Sequence, residues 1–339
     1  MTGASSRTTA AGEHSVRRRI LPRIFGKTSA VPTVPLLPAR SSLGQHAIVA
    51  DTGILADGQV AMCAASIQGL SHQSGATTRQ DSYSFAAESN RIAVAVADGL
   101  GSAPLSHLGS ETAARTAVTV AVAGGSSSQV ATAVSAALQL LADQQAQSVE
   151  LFSTTLGVLV IHVGEADKPW HVGFAEWGDT RVSVYRPGSV KDGHPDWERL
   201  TAKDADDEMY ANSVHPLPRY RNPRAGGSYQ WASGEMLMLA TDGIDGHLVA
   251  TNPVGHGLAT AWELVPTIWQ FIADVGFDRA GARDDRTAFC LFRARTAEVG
   301  GMEKDDDKQE KARTSSQVSA GAREGSHSRQ KKPGGDPSC

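Results

Sequence analysis

The chain has 339 residues, 32 basic and 36 acidic side chains, a formal net charge of -4 and 40% hydrophobic content. That near balance supplies no electrostatic drive towards nucleic acid or an anionic membrane, and no run is long and apolar enough to span a bilayer. Cys63, Cys290 and Cys339 include no Cys-x-x-Cys pair, which argues against a disulfide framework and a zinc knuckle and suits reduced thiols in the cytoplasm.

Residues 1–44 mix Ser, Thr and Pro with Arg17, Arg18, Arg19, Arg23, Lys27 and Arg40 and show no apolar periodicity. They read as a basic, disordered tail; a transit peptide or a polyanion-binding arm is the less common meaning of such a composition. Residues 297–339, built from Lys, Glu, Asp, Ser, Gly and Gln, read as a second, charged tail. Between them, 45–296 is expected to fold as one domain.

Within that unit the predicted strands are Ile92–Ala97, Leu156–Val163, Trp170–Glu176, Arg181–Tyr185, Met236–Ala240 and Thr287–Phe292, each short and bounded by Gly, Asp or charged residues. Ala-rich segments at Leu108–Val122 and Val130–Val149 have helical spacing, as does Trp269–Val275 behind Pro266. The strands between 156 and 186 are separated by short polar turns and are expected to pair antiparallel, which makes a mixed α and β domain rather than a doubly wound one. Residues 188–234, rich in Pro, Gly, Arg and aromatics, match no motif and read as a long irregular lid or recognition loop.

The apolar run IAVAVADGLGSA ends in Asp98, followed by Gly99 and Gly101. A carboxylate closing a buried strand is costly without a cation beside it. Similar placements recur: Asp81 in TTRQDSYSF, Asp242 in MLATDGIDG, and Asp284 and Asp285 in RDDRTAFCLF. Strand ends can be gathered at one rim, where such carboxylates repel one another unless they bind hard divalent ions such as Mg²⁺ or Mn²⁺. Two such ions can activate a shared water and neutralise a phosphoryl group, so hydrolysis of a phosphate monoester is the chemistry this pattern suits. Taken singly, an Asp before Gly more often caps a turn.

AVAVADGLGSAPLSHLGSETAA, FAEWGDTRVSVYR, MLMLATDGIDG and RDDRTAFCLF, in this order, resemble the successive motifs of the metal-dependent protein phosphatases of the 2C type. The resemblance covers most of residues 66–293 and is closest to a bacterial branch in which a histidine precedes a Gln-Asp pair. It implies an α+β fold, a four-layer α-β-β-α sandwich of two antiparallel sheets with a binuclear Mg²⁺ or Mn²⁺ centre at one edge. It implies hydrolysis of phosphoserine and phosphothreonine on proteins, so the partners would be a phosphorylated protein and an opposing Ser/Thr kinase. The chain is expected to work as a monomer unless a partner holds the flap. Asp98 would bridge both metals, the Gly99 carbonyl would be a ligand, and Asp242 and Asp284 would share one metal. Asp81 would act through bound water, and Asp179 in GDTR would mark a third, weaker site, although Gly-Asp also suits a hairpin turn.

The sequence departs from the family where an arginine usually holds the substrate phosphate: Ala76 or a neighbour stands there, and the nearest arginine is Arg79. His72 in GLSHQSG is the other cation-capable group, able to bind phosphate or protonate the leaving oxygen. Gln80 replaces an acidic residue that often precedes the early aspartate. A dinucleotide site at DGLGSAP fails because Pro104 stands where the third glycine belongs. A non-catalytic binding or signalling module, and a phosphatase of small phosphate esters, remain as alternatives.

Overall fold

The computed structural model describes residues 46–75, 77–88, 90–191, 193–201, 214–248 and 252–295. The predicted tails, Ala76, and Tyr210 within the expected loop lie outside these residues, apart from the start of the folded unit at His46. The strands are β1 (Ile48–Leu55), β2 (Val60–Ile67), β3 (Ser82–Glu88), β4 (Arg91–Ala97), β5 (Leu156–His162), β6 (Trp170–Trp177), β7 (Arg181–Lys191), β8 (His194–Arg199), β9 (Ala225–Trp231), β10 (Met236–Ala240) and β11 (Arg286–Arg293). The helices are α1 (Leu70–Ser74), α2 (Ser106–Val122), α3 (Ser127–Gln145), α4 (Asp242–Asp245), α5 (Pro253–Ala261) and α6 (Ile268–Val275). None of the described helices is long and apolar enough to cross a membrane.

The strands form two antiparallel sheets, one of six strands in the order β1-β2-β11-β10-β7-β8 and one of five in the order β3-β4-β5-β6-β9. Alternation along each strand decides which layer a side chain enters. On β4, Ile92, Val94 and Val96 join Met62, Leu159, Leu239 and Phe289 between the sheets. Ala93, Ala95 and Ala97 point the other way, onto α2 and α3, where Ala113, Ala114, Ala117 and Ala121 meet them. Small side chains on both partners let the helix lie close to the strand. On the outer face of the six-stranded sheet, Cys63, Met236 and Met238 pack with Trp262, Phe271 and Phe277 around α5 and α6. Each fully buried large side chain of this kind contributes roughly 1.5–3 kcal/mol. The result is the expected four-layer α-β-β-α arrangement.

Helix starts follow local chemistry. The Ser126 side chain accepts from the Gln129 amide while the Gln129 side chain accepts from the Ser126 amide, a closed capping box for α3. Thr267 behind Pro266 caps α6, and Asn252 caps α5. The helix expected to reach Val149 ends at Gln145, because Ala146 adopts a left-handed φ of 51° and the chain reverses into a short 3-10 turn, Val149–Phe152, that buries Phe152.

Two expectations are corrected. The strands between 156 and 186 do not all pair in sequence: β5 and β6 pair, but β7 crosses to the other sheet and pairs with β10. The crossing is made at Gly178–Thr180, after Trp177 has entered the helix-facing core and before Val182 enters the core between the sheets. The stretch 188–234 is not wholly irregular either. It supplies the end of β7, all of β8, and β9, which pairs with β6 and closes the five-stranded sheet.

Candidate metal centre

The pairing registers bring the strand-end aspartates to one rim. Ser82 lies opposite Ala97, so Asp81 and Asp98 flank the same end of the β3–β4 pair. Ala240 lies opposite both Arg181 and Ala288, which brings Asp242, Asp179 and the Asp284–Asp285 pair to the same end of the six-stranded sheet. Ile67 lies opposite Arg286, which adds Gly69 and His72 on α1.

The carboxylates are short of counter-charge. Asp81 is buried, and its carboxyl is pushed up to about 8 by burial and by the negative charge of Asp285, against hydrogen bonds from Thr241 and Asp98. Asp98 is raised well above the usual carboxylate range by burial and then by Asp81, Asp242 and Asp179. Asp242 keeps a solvent-exposed edge that tempers the effect. Its carboxyl is still raised to about 7 by desolvation within the rim and by Asp179 and Asp284. Asp179 is raised too, chiefly by burial. Its Oδ1 is buried without a hydrogen-bond partner. Each raised value says that the site disfavours another negative charge, which a divalent cation would relieve.

Whether the donor set fits a metal turns on these observations. An orphaned buried carboxylate oxygen, mutually repelling carboxylates and an all-oxygen donor set suit a hard divalent ion. Among the described residues, no group of three His, Cys, Asp or Glu side chains is placed so that it could hold one ion by itself. Mg²⁺ needs only one or two carboxylates with water and carbonyl oxygens completing its shell, so carboxylates spread along a rim remain compatible with it.

A framework of hydroxyls fixes the rim. The Asp98 carbonyl accepts from the Thr155 amide at 2.8 Å and from Thr154 Oγ1 at 2.8 Å, while the Asp98 amide donates to Thr155 Oγ1 at 3.1 Å. Thr155 Oγ1 is 2.6 Å from Thr180 Oγ1, tying this loop to that of Asp179. Thr241 Oγ1 donates to Asp81 Oδ2 at 2.8 Å and accepts from the Thr287 amide at 3.1 Å. Sequence reasoning missed these residues, although a threonine sits next to or near each aspartate in TDG, GDT and DDRT.

Glycines at the rim answer to crowding. A Cβ on Gly99 would stand 2.8 Å from Ser106 Cβ and 2.9 Å from the Gln80 carbonyl; one on Gly243 would stand 2.0 Å from the Asp285 carbonyl. The amide of Gly99 donates to Gln80 O at 3.2 Å, so the residue also ties β4 to the start of β3.

The two aspartates of DDRT divide their work. Asp284 is exposed at the rim and accepts from the Asp285 amide at 2.9 Å. Asp285 is buried, accepting from the amides of Gly69 at 2.7 Å and Gln80 at 2.5 Å and lying 2.8 Å from His72 Nδ1. This bond and the nearby charge of Asp285 raise the His72 imidazole above its ordinary value, against partial burial. His72 therefore reaches the rim held by a buried carboxylate. Arg79 does not point there as a free phosphate fork: Nε donates to His46 O at 3.2 Å, and one terminal nitrogen donates to Ser66 Oγ at 2.6 Å and to the Asp81 carbonyl.

A profile of the protein phosphatase 2C family matches residues 68–280, well over half of the chain, and takes in His72, Asp81, Asp98, Asp179 and Asp242 of this rim, ending just before Asp284 and Asp285. The chain belongs to the protein phosphatase 2C family. No curated protein is similar enough to register as a match. Solved structures similar to this family member include RsbX in complex with magnesium, 13% identical, with a TM-score of 0.46 over 72% of this chain and 100% of that one. The catalytic domain of the serine/threonine phosphatase PstP in complex with two manganese ions is 17% identical, with a TM-score of 0.44 over 69% of this chain and 98% of that one. The phosphatase domain of SpoIIE from Bacillus subtilis, with a fragment of its regulatory domain, is 18% identical, with a TM-score of 0.46 over 69% of this chain and 62% of that one.

Proposed function

We propose that this protein hydrolyses phosphoserine and phosphothreonine on other proteins with the help of two divalent ions, Mg²⁺ or Mn²⁺. The observation that carries the reading is the rim of carboxylates with raised proton affinity around Asp98, one of them with an orphaned buried oxygen. Asp98, the Gly99 carbonyl, Asp242 and Asp284 would hold the ions, with Asp81 acting through water and Asp179 serving a weaker third site. When bound, such ions supply charge neutralisation for the phosphoryl group and a more acidic water.

The chain's own residues do the rest. Asp285 fixes the His72 ring, and the negative charges around it favour the imidazolium, which suits His72 to hold a phosphate oxygen or protonate the leaving seryl oxygen. His72 is thus the candidate for the role the missing arginine fills elsewhere. Beside Leu100, a groove of about 680 Å³ lined in part by Gln139, Arg219, Tyr220 and Arg221 offers room for a substrate segment. The opposing kinase, the monomeric state, the cytoplasmic setting and the 45–296 catalytic unit belong to the same proposal.

A phosphate-binding module without turnover is the second reading, favoured by the commitment of Arg79 to backbone and Ser66. Phosphate release from a phosphothreonine peptide, measured with Mn²⁺, with Mg²⁺ and with chelator, separates the two. Metal-dependent release that Asp98→Asn eliminates supports the enzyme; peptide binding without release supports the module.

A further inference from the structure

On the outer face of the five-stranded sheet, between β5, β6 and β9 and the first turns of α3, lies a cavity of about 280 Å³. Its charged end is remote from the rim, since Arg91 and Asp98 stand at opposite ends of β4, about 23 Å apart at strand spacing, while Trp177 lines the end nearer the rim. Val130, Val158, Val160 and Trp177 give it apolar walls, and Gly173 leaves it open: a Cβ there would touch nothing within 4 Å.

One end is cationic and unbalanced. Arg91 Nε is buried with no hydrogen-bond partner, and its NH1 reaches only the Val122 carbonyl, at 3.4 Å. Among the described residues Arg91 makes no ion pair. His162 lines the same cavity, with its ring 5.6 Å from that of His171. Its proton affinity is lowered by burial, then by the charges of Arg91 and His171, with no carboxylate among the charges that act on it. Ser127 brings the first turn of α3, whose dipole favours negative charge.

We propose that this cavity binds a small organic anion, with an apolar body against Val130, Val158 and Trp177 and a carboxylate or phosphate head at Arg91. A partly buried guanidinium whose Nε has no acceptor and whose bond to a carbonyl is a long one is suited to an anion, and the fork of Arg91 suits either head group. A cavity of roughly 150 Å³ holds benzene, so this volume admits a body of one ring or two fused rings, below that of typical drug-sized sites.

Titration of the full chain with benzoate, phenylphosphonate and benzyl alcohol, followed by calorimetry or ligand-observed NMR, tests this. At least one of the two anions should bind, the better one identifying the preferred head. Benzyl alcohol and the Arg91→Met variant should each weaken binding about tenfold or more. Gly173→Leu should abolish it by filling the cavity, and Asp98→Asn should leave it unchanged. No binding of either anion, equal binding of the alcohol, indifference to both Arg91→Met and Gly173→Leu, or loss on Asp98→Asn would each overturn the proposal.

Discussion

The two ends of β4 face opposite electrostatic problems. At Asp98 several carboxylates crowd one rim and raise one another's proton affinity; at Arg91 a guanidinium and an imidazole share a cavity with no acid among the described residues that line it. Between them runs an apolar strand buried on both faces. Folding alone explains the strand, since its side chains alternate between two cores, but it explains neither end. An excess of one sign in a partly buried place costs stability, and that cost marks where a ligand of the other sign belongs.

The largest effect should come from breaking the negative end. Asp98→Asn is expected to remove metal-dependent phosphate release altogether, yet to raise the thermal midpoint of the chelator-treated protein by a few degrees, about 2–4 °C per kcal/mol of relieved repulsion. Activity is read by phosphate release and stability by calorimetry on the same sample. A variant both inactive and less stable without metal would show that Asp98 is a structural residue.

Removing Asp285 should act through the fold first. It accepts from two backbone amides and lies against His72, so Asp285→Ala leaves buried donors unpaired and should cost about 3–5 kcal/mol in denaturant unfolding. His72→Gln keeps most of that framework. It should lower turnover about 10–100-fold while leaving metal affinity intact, a split that would be absent if His72 only packed against Asp285.

The pH dependence of the metal-free protein sharpens the comparison. Asp81 and Asp242 hold their protons in the fold to about 8 and about 7, above the 3.8 of an ordinary aspartate. Between about pH 4 and about pH 8 the native state then binds more protons than the unfolded chain, so stability is present at low pH and lost as pH rises through the folded values. Saturating Mn²⁺ should flatten the slope over this range, because the ions take the place of the protons and the native and unfolded states then bind equally few. Denaturant midpoints measured across that range with chelator and with Mn²⁺ give both slopes; a flat chelator curve would mean that the carboxylates do not interact.

Much of this rim was legible because its aspartates stand beside recognisable strands and glycines. Met236–Ala240 appears in the structure with the expected bounds, and Asp98 follows β4 as IAVAVADG implies. Less could be read where periodicity vanishes. β2 is buried along nearly its whole length and so shows little polar alternation, while β1 is an edge strand with exposed positions that resemble a loop. The partition between Asp284 and Asp285 was also hidden. Adjacent strand-end residues point to opposite sides, and only the approach of Gly69, His72 and Gln80 decides which one is buried. Arg79 is a similar case: its sequence position beside Asp81 does not say where the guanidinium goes, and the positions of His46 and Ser66 decide its partners.

The smallest effect expected concerns the hydroxyl framework, which no motif announces. Thr155 Oγ1 joins the Asp98 amide to Thr180 and hence to the loop of Asp179. Thr155→Val keeps the shape but removes both contacts, which should cost about 1–3 kcal/mol because the Thr180 hydroxyl and the Asp98 amide lose a partner. If the framework serves only folding, turnover at saturating metal stays unchanged once the protein is folded. If it sets the spacing of Asp98 from Asp179, the metal concentration needed for half-maximal activity rises as well. Thr155→Ser restores the hydroxyl, so recovery of metal affinity by that variant would separate the hydrogen bonds from the lost methyl group.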